Sequence, residues 1–130
     1  MSENNILEYY EQISERYFAA RIFPDGKVIH LWQPLAKRIK VTGYEDFDMF
    51  IYCEKKCFYL CESLTGAVLL RQCDFPTRQL RRLRAIKELL KYFPEALNER
   101  GGRPAINQLI VNFMVDHDQI ISPRYTPKKV

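Results

Sequence analysis

The chain has 130 residues, enough for one folded domain and short for two. Hydrophobic residues make up 47% and charged residues 28%, and no apolar run approaches the roughly 20 residues that a membrane-spanning helix needs. The net charge of +4 is unevenly spread: residues 1–75 hold 9 Lys/Arg against 11 Asp/Glu, and residues 76–130 hold 11 against 5.

The start, MSENNILEYY, is polar and acidic, without the basic run and apolar stretch of a secretory signal. An intracellular, cytoplasmic protein is therefore expected, with no membrane partner. Ile6, Tyr10, Ile13 and Tyr17 recur at helical spacing with Glu8, Glu11 and Glu15 between them. That pattern predicts an N-terminal helix, capped by Ser2, Asn4 or Asn5, with an acidic exposed face. Pro24-Asp25-Gly26 then signals a turn between two apolar, β-prone stretches, predicting a hairpin of about 18–23 and 27–33. Pro34 ends its second strand, Lys37, Arg38 and Lys40 form a short basic knot, and Gly43 marks another turn. From 47 to 72, FDMFIYC, CFYLCES and AVLLRQ are separated by Glu54-Lys55-Lys56 and Leu64-Thr65-Gly66. These runs predict a three-stranded antiparallel meander that extends the hairpin into a sheet of about five strands.

The chain then becomes helical. Asp74 or Thr77 can cap a helix over 76–93, with Pro76 in its first turn and Leu80, Leu83, Ile86, Leu90 and Phe93 as one apolar stripe. Pro94 is expected to end it, because proline lacks the N–H a helix interior needs. PEALNER reads as a short extra helix closed by Gly101-Gly102. A last helix, opened near Pro104, would bury Ile106, Leu109, Ile110, Phe113 and Met114. The tail 122–130 is Pro-rich and basic and is expected to be loose. The predicted fold is α+β, one domain over 1–130: an N-terminal helix, an antiparallel sheet of about five strands, and two to three C-terminal helices packed on one face.

CEKKCFYLC, with Cys73 beyond it, is the most chemical-looking stretch. Structural zinc sites bring ligands in pairs two or four residues apart, whereas here the intervals are three, three and eleven. The C-x3-C-x2-C cluster loop would require a cysteine where Leu60 stands. Strand periodicity accounts for the spacing: Cys57 and Cys61 share a face with Tyr59, and Cys53 ends the preceding strand, within reach of Cys57 across the hairpin. The cysteines are read as reduced, structural thiols. A metal site built from Cys53, Cys57, Cys61 and Cys73, with His30 or His117 as extra ligands, and a disulfide are the alternatives. No cofactor is expected.

No nucleophile elbow, phosphate loop, zinc-protease pair or dinucleotide fingerprint is present, and an enzyme is not the favoured class. Gly101-Gly102, flanked by Arg100 and Arg103, is a minor candidate for an anion site, and Asp116-His117-Asp118 a minor candidate for a metal. The stronger signal is the helix over 76–93, where Arg78, Arg81, Arg82, Arg84, Lys87 and Lys91 are opposed only by Glu88. Cations at this density can neutralise several phosphates. Lys37, Arg38 and Lys40 can extend the patch, as can Lys128 and Lys129, and Tyr44, Tyr52 or Tyr59 could stack on bases. The opposing reading is a solvated face that pairs with Glu8, Glu11 and Glu15.

In element order, a β-meander followed by a basic helix resembles small single-strand-binding folds of the whirly type, which implies nucleic-acid binding. The expectation is a small non-catalytic binding protein whose basic helix contacts an acidic partner, nucleic acid first. The alternatives are a protein–protein module, such as a regulator or inhibitor of the kind phages and mobile elements encode, and a Cys-ligated metal protein.

Overall fold

The computed structural model describes residues 10–13, 15–73, 83–116 and 122–127. Its strands are β1 (Tyr10–Gln12), β2 (Phe18–Ile22), β3 (Val28–Trp32), β4 (Lys37–Ile39), β5 (Met49–Glu54), β6 (Cys57–Glu62), β7 (Val68–Gln72) and β8 (Tyr125–Pro127). Its helices are α1 (Leu83–Glu99) and α2 (Gly102–Asp116). The fold is α+β. β4-β5-β6-β7 form one antiparallel sheet, β2-β3 a separate hairpin, and β1-β8 a short ladder.

The meander forms as the sequence predicts, because Lys55-Lys56 and the 63–67 turn leave three β-prone runs free to pair. Met49 lies opposite Glu62 and Glu54 opposite Cys57, so the β5–β6 connection is only Lys55-Lys56. Both lysines have positive φ, 49° and 63°, as in a type I′ hairpin turn, whose twist matches the flanking strands. Neither is the Asn or Gly that tolerates this backbone cheaply. Lys55→Asn with Lys56→Gly is therefore expected to raise stability by about 1 kcal/mol, read as a higher urea midpoint at unchanged slope.

The four-stranded sheet is buried on both faces, so β5 and β6 read as nearly unbroken apolar runs. Met49, Ile51, Phe58, Leu60 and Leu70 face the helices and meet Phe93, Ala96, Leu97, Ile106 and Ile110. Phe58 and Phe93 pack edge to face with ring centroids 5.7 Å apart. Each such fully buried side chain contributes about 1.5–3 kcal/mol relative to exposure. The alternate residues Phe50, Tyr52 and Cys61 pack with Tyr17 and Ala19 on the other face.

Several expectations are corrected. Residues 10–12 are a strand, not part of a helix; the rest of the proposed helix up to residue 9 lies outside the described residues. Tyr10 pairs with Pro127 and Gln12 with Tyr125, and Ile13 N–H donates to the Arg124 carbonyl, so the backbone's partners are supplied by the tail. Ile13, placed on the helical stripe by its spacing, is 55% exposed. The first hairpin does not extend the meander. The sheet has four strands, and its fourth is β4, in the stretch after Pro34 that the sequence leaves undefined. Pro94 does not end a helix: α1 runs through it to Glu99. Burial of Phe93, Ala96 and Leu97 in one core outweighs the lost backbone bond. Residues 122–127 of the tail are docked, with Ser122 and Arg124 buried.

The hairpin is held at Gly66. Its backbone has φ +76°, and Ala20 N–H donates to its carbonyl at 2.8 Å. A Cβ there would stand 2.6 Å from the Phe18 carbonyl oxygen and 2.9 Å from Ala20 N. His30 Nε2 donates to the Thr65 carbonyl at 2.9 Å, and Ser122 N–H donates to the Leu64 carbonyl at 2.8 Å. The 62–67 turn thus joins sheet, hairpin and tail. Its own shape is set by Glu62, whose buried carboxylate accepts from Leu64 N–H (2.6 Å), Thr65 N–H (2.9 Å) and Thr65 Oγ1 (2.8 Å).

Candidate functional site

The cations singled out by the sequence fall in three places. Arg78, Arg81 and Arg82 lie outside the described residues, as do Lys128 and Lys129. On α1, Lys87 and Lys91 are one turn apart and both exposed. Position 84 lies on the same side by its three-residue spacing, although the Arg84 side chain is outside the described set. Among the described residues no carboxylate lies within ion-pairing distance of Lys87 or Lys91. Tyr92 beside them is about half exposed. Glu95 and Glu99 follow on the same side toward the C-terminal end, so the positive face is confined to the first half of the helix.

Lys37, Arg38 and Lys40 are all exposed, but they lie on or beside β4, at the sheet edge opposite β7, the strand against which α1 packs. Two of the three make internal contacts. Arg38 Nε meets Asp48 Oδ1 at 3.0 Å, and Lys40 Nζ donates to the Glu45 carbonyl at 3.1 Å. Tyr44 and Tyr52 are buried and Tyr59 is half-buried, stacked on Tyr52 with centroids 4.7 Å apart and capped by Arg71. These tyrosines are packing residues and do not form an open stacking platform. Of the two arginines around Gly101-Gly102, Arg103 forks onto the Asp46 carboxylate and lies over the Phe47 ring. Arg100 Nη1 donates to the Leu69 carbonyl at 3.3 Å.

Asp48 is the charged hub of the interior. Its carboxylate accepts from Arg38, from Arg124 and from the Tyr125 hydroxyl. Arg124 is fully buried, its guanidinium 4.0 Å from the Tyr17 ring centroid. This network fastens the tail to the sheet. Glu62 is pushed up to about 7, chiefly by burial, against the pull of its three donors. Its folded pKa lies above its unfolded value near 4.5, so its contribution to stability is fully present below about 4.5 and is lost as pH rises through 7. Relative to Glu62→Gln, whose cost does not titrate, wild type is expected to lose on the order of 3 kcal/mol between pH 4.5 and 8, measured by urea denaturation. A difference independent of pH would refute this placement.

The cysteines are not gathered. Register places Phe58 opposite Gln72, which brings the next pair, Cys57 and Cys73, together across β6 and the end of β7, and they form a disulfide. This corrects the expectation of four reduced thiols. Cys61 is buried on the same sheet face as Cys57, where burial pushes its thiol well up. Cys53 lies opposite Phe58, one residue off the predicted pairing with Cys57, and therefore on the helix-facing side, where burial raises it to about 11. Among the described residues no group of three or more His, Cys, Asp or Glu is placed to hold a metal. His30 is spent on Thr65, and His117 lies outside the described residues.

Sequence reasoning missed two surfaces. Ile22, Trp32 and Leu35 are 54%, 50% and 77% exposed on and just after the hairpin, with Arg16 over the Trp32 ring. The one available signal was an isolated Trp beside a Pro-Leu turn. A groove of about 440 Å³ also opens between β7 and the corner of α1 and α2. No described helix is long and apolar enough to cross a membrane.

Comparison with protein-family models, with curated proteins and with solved structures finds no match. The resemblance in element order to whirly-type folds is thus not supported by a structural match.

Proposed function

We propose that the protein is a non-catalytic binding module that contacts nucleic acid through the N-terminal half of α1. The observation that carries the reading is the pair Lys87 and Lys91, exposed one turn apart with no carboxylate partner among the described residues. In the sequence, Arg78, Arg81, Arg82 and Arg84 come just before them, and this density of cations favours an acidic partner. The basic knot at Lys37, Arg38 and Lys40 is secondary, because Arg38 and Lys40 already serve internal contacts.

The test is binding of fluorescent single-stranded DNA, duplex DNA and RNA at low salt. Binding of at least one class, with affinity falling steeply as salt rises, is expected. No binding at low salt overturns the reading. The exposed apolar residues Ile22, Trp32 and Leu35 favour docking on a protein as the second reading. Co-purification of one protein, lost with Leu35→Ser and indifferent to salt, would favour it.

A further inference from the structure

We propose that the groove between β7 and the α1–α2 corner binds an aliphatic carboxylate of medium chain length. Its walls are Leu69, Leu97, Ala105, Ile106 and Leu109, all aliphatic. The charged side chain at the groove is Arg100, and no Asp or Glu lines it. The volume of about 440 Å³ falls within the range of small-molecule sites. At about 30 Å³ for a water-sized group, it has room for roughly fifteen non-hydrogen atoms, enough for decanoate.

The arrangement sorts the ligand by chemistry. Walls without aromatic rings offer no stacking platform for a base or flat heterocycle, and they favour a flexible hydrocarbon. Arg100 is exposed, and its Nη1 donates to the Leu69 carbonyl at 3.3 Å, which holds the guanidinium at the wall of the groove. A guanidinium has five donors in a planar fork, so it retains N–H groups suited to a carboxylate. The α1–α2 connection is Arg100-Gly101, and the positive φ of Gly101 and Gly102, +107° and +66°, turns the chain there with Arg100 at the edge of the groove. Leu69, Leu97 and Ile106 are buried members of the main cores, so the walls are fixed before any ligand arrives. The groove lies at the C-terminal end of α1 and is independent of the nucleic-acid reading, which uses the other half.

The test is titration of the ¹⁵N-labelled full chain with decanoate and decyltrimethylammonium below their micelle concentrations and with decanol below its solubility limit. Decanoate is expected to shift the amides of Leu69, Leu97, Ala105 and Ile106 and to bind at least about tenfold more tightly than decanol, the worth of a charge-assisted hydrogen bond. Arg100→Gln is expected to bring decanoate within about twofold of decanol. Ala105→Phe, which fills the groove, is expected to weaken both. Decanoate no tighter than decanol, equal binding of the cationic amphiphile, or shifts confined to residues outside the groove would each overturn the proposal. The three-ligand comparison on wild type decides the matter even if a variant fails to fold.

Discussion

Gly66→Ala is expected to destabilise the fold by roughly 3 kcal/mol or more and to release the β2–β3 hairpin. Two costs combine. The backbone at φ +76° is in the left-handed region that a side chain disfavours. The new methyl would also stand 2.6 Å from the Phe18 carbonyl oxygen and 2.9 Å from Ala20 N, both backbone atoms of β2 that cannot rotate away. Relieving the clash means breaking the bond from Ala20 N–H to the Gly66 carbonyl, which ties the hairpin to the 62–67 turn. Gly26→Ala is the control. Its φ is +86° but nothing lies within 4 Å of the added methyl, so about 1 kcal/mol is expected from backbone strain alone. Urea denaturation separates the two, and hydrogen exchange at Ala20 and His30 reports whether the hairpin has detached. Equal costs at Gly66 and Gly26 would show that the close approach to β2 does not exist.

Arg124→Ala is expected to cost about 3–5 kcal/mol, the range for removing one member of a buried, hydrogen-bonded charge pair. The loss has two parts. Asp48, only 19% exposed, keeps Arg38 and the Tyr125 hydroxyl but loses its buried cation. The guanidinium also fills the space between the Tyr17 and Tyr125 rings, 4.0 and 5.4 Å from their centroids, and alanine leaves that space empty. Arg124→Met keeps much of the volume and loses the charge, and is expected to cost less than alanine but more than a surface substitution. Asp48→Asn combined with Arg124→Met should cost less than the sum of the single changes, because neither then leaves a buried charge unmatched. Surface-like costs below about 0.5 kcal/mol for Arg124→Ala would contradict the docked tail.

What the sequence revealed and what it hid differ by range of interaction. The meander was legible because MFIYCE, CFYLCE and VLLRQ are set off by local turns whose chemistry acts within a few residues. The last helix was legible because Ile106, Ile110 and Phe113 repeat at helical spacing and are all buried. The β1–β8 ladder was not, since its three-residue strands lie at opposite ends of the chain and neither has a pattern of its own. Arg124 sits in a Pro-rich basic stretch that reads as solvated. Its burial depends on Asp48, 76 residues earlier, and on no local signal. Pro94 misled because a local rule was outweighed by the core contacts of the residues beside it.

The disulfide was hidden because it depends on the β6–β7 register, Phe58 opposite Gln72, which no local pattern announces. The β5–β6 pairing, one residue off the expected one, separately takes Cys53 to the helix-facing side. For the candidate site, helical periodicity did place Lys87 and Lys91 on an open surface. It could not show that Arg38 and Lys40, equally basic on paper, are tied to Asp48 and to the Glu45 carbonyl. Nor could it find the groove beside Arg100, whose walls come from three elements separate in sequence.

The central claim, that the open lysines of α1 are a phosphate-contacting surface, is tested most directly by the salt dependence of binding. Affinity for a labelled oligonucleotide of the class that wild type binds would be measured from low to moderate salt for wild type and for Lys87→Glu/Lys91→Glu. The double variant is expected to bind more weakly and to show a slope of log affinity against log salt flatter by about 2, one for each lost phosphate contact. Parallel lines for the two proteins, or a wild type that binds no nucleic acid at the lowest salt, would contradict it.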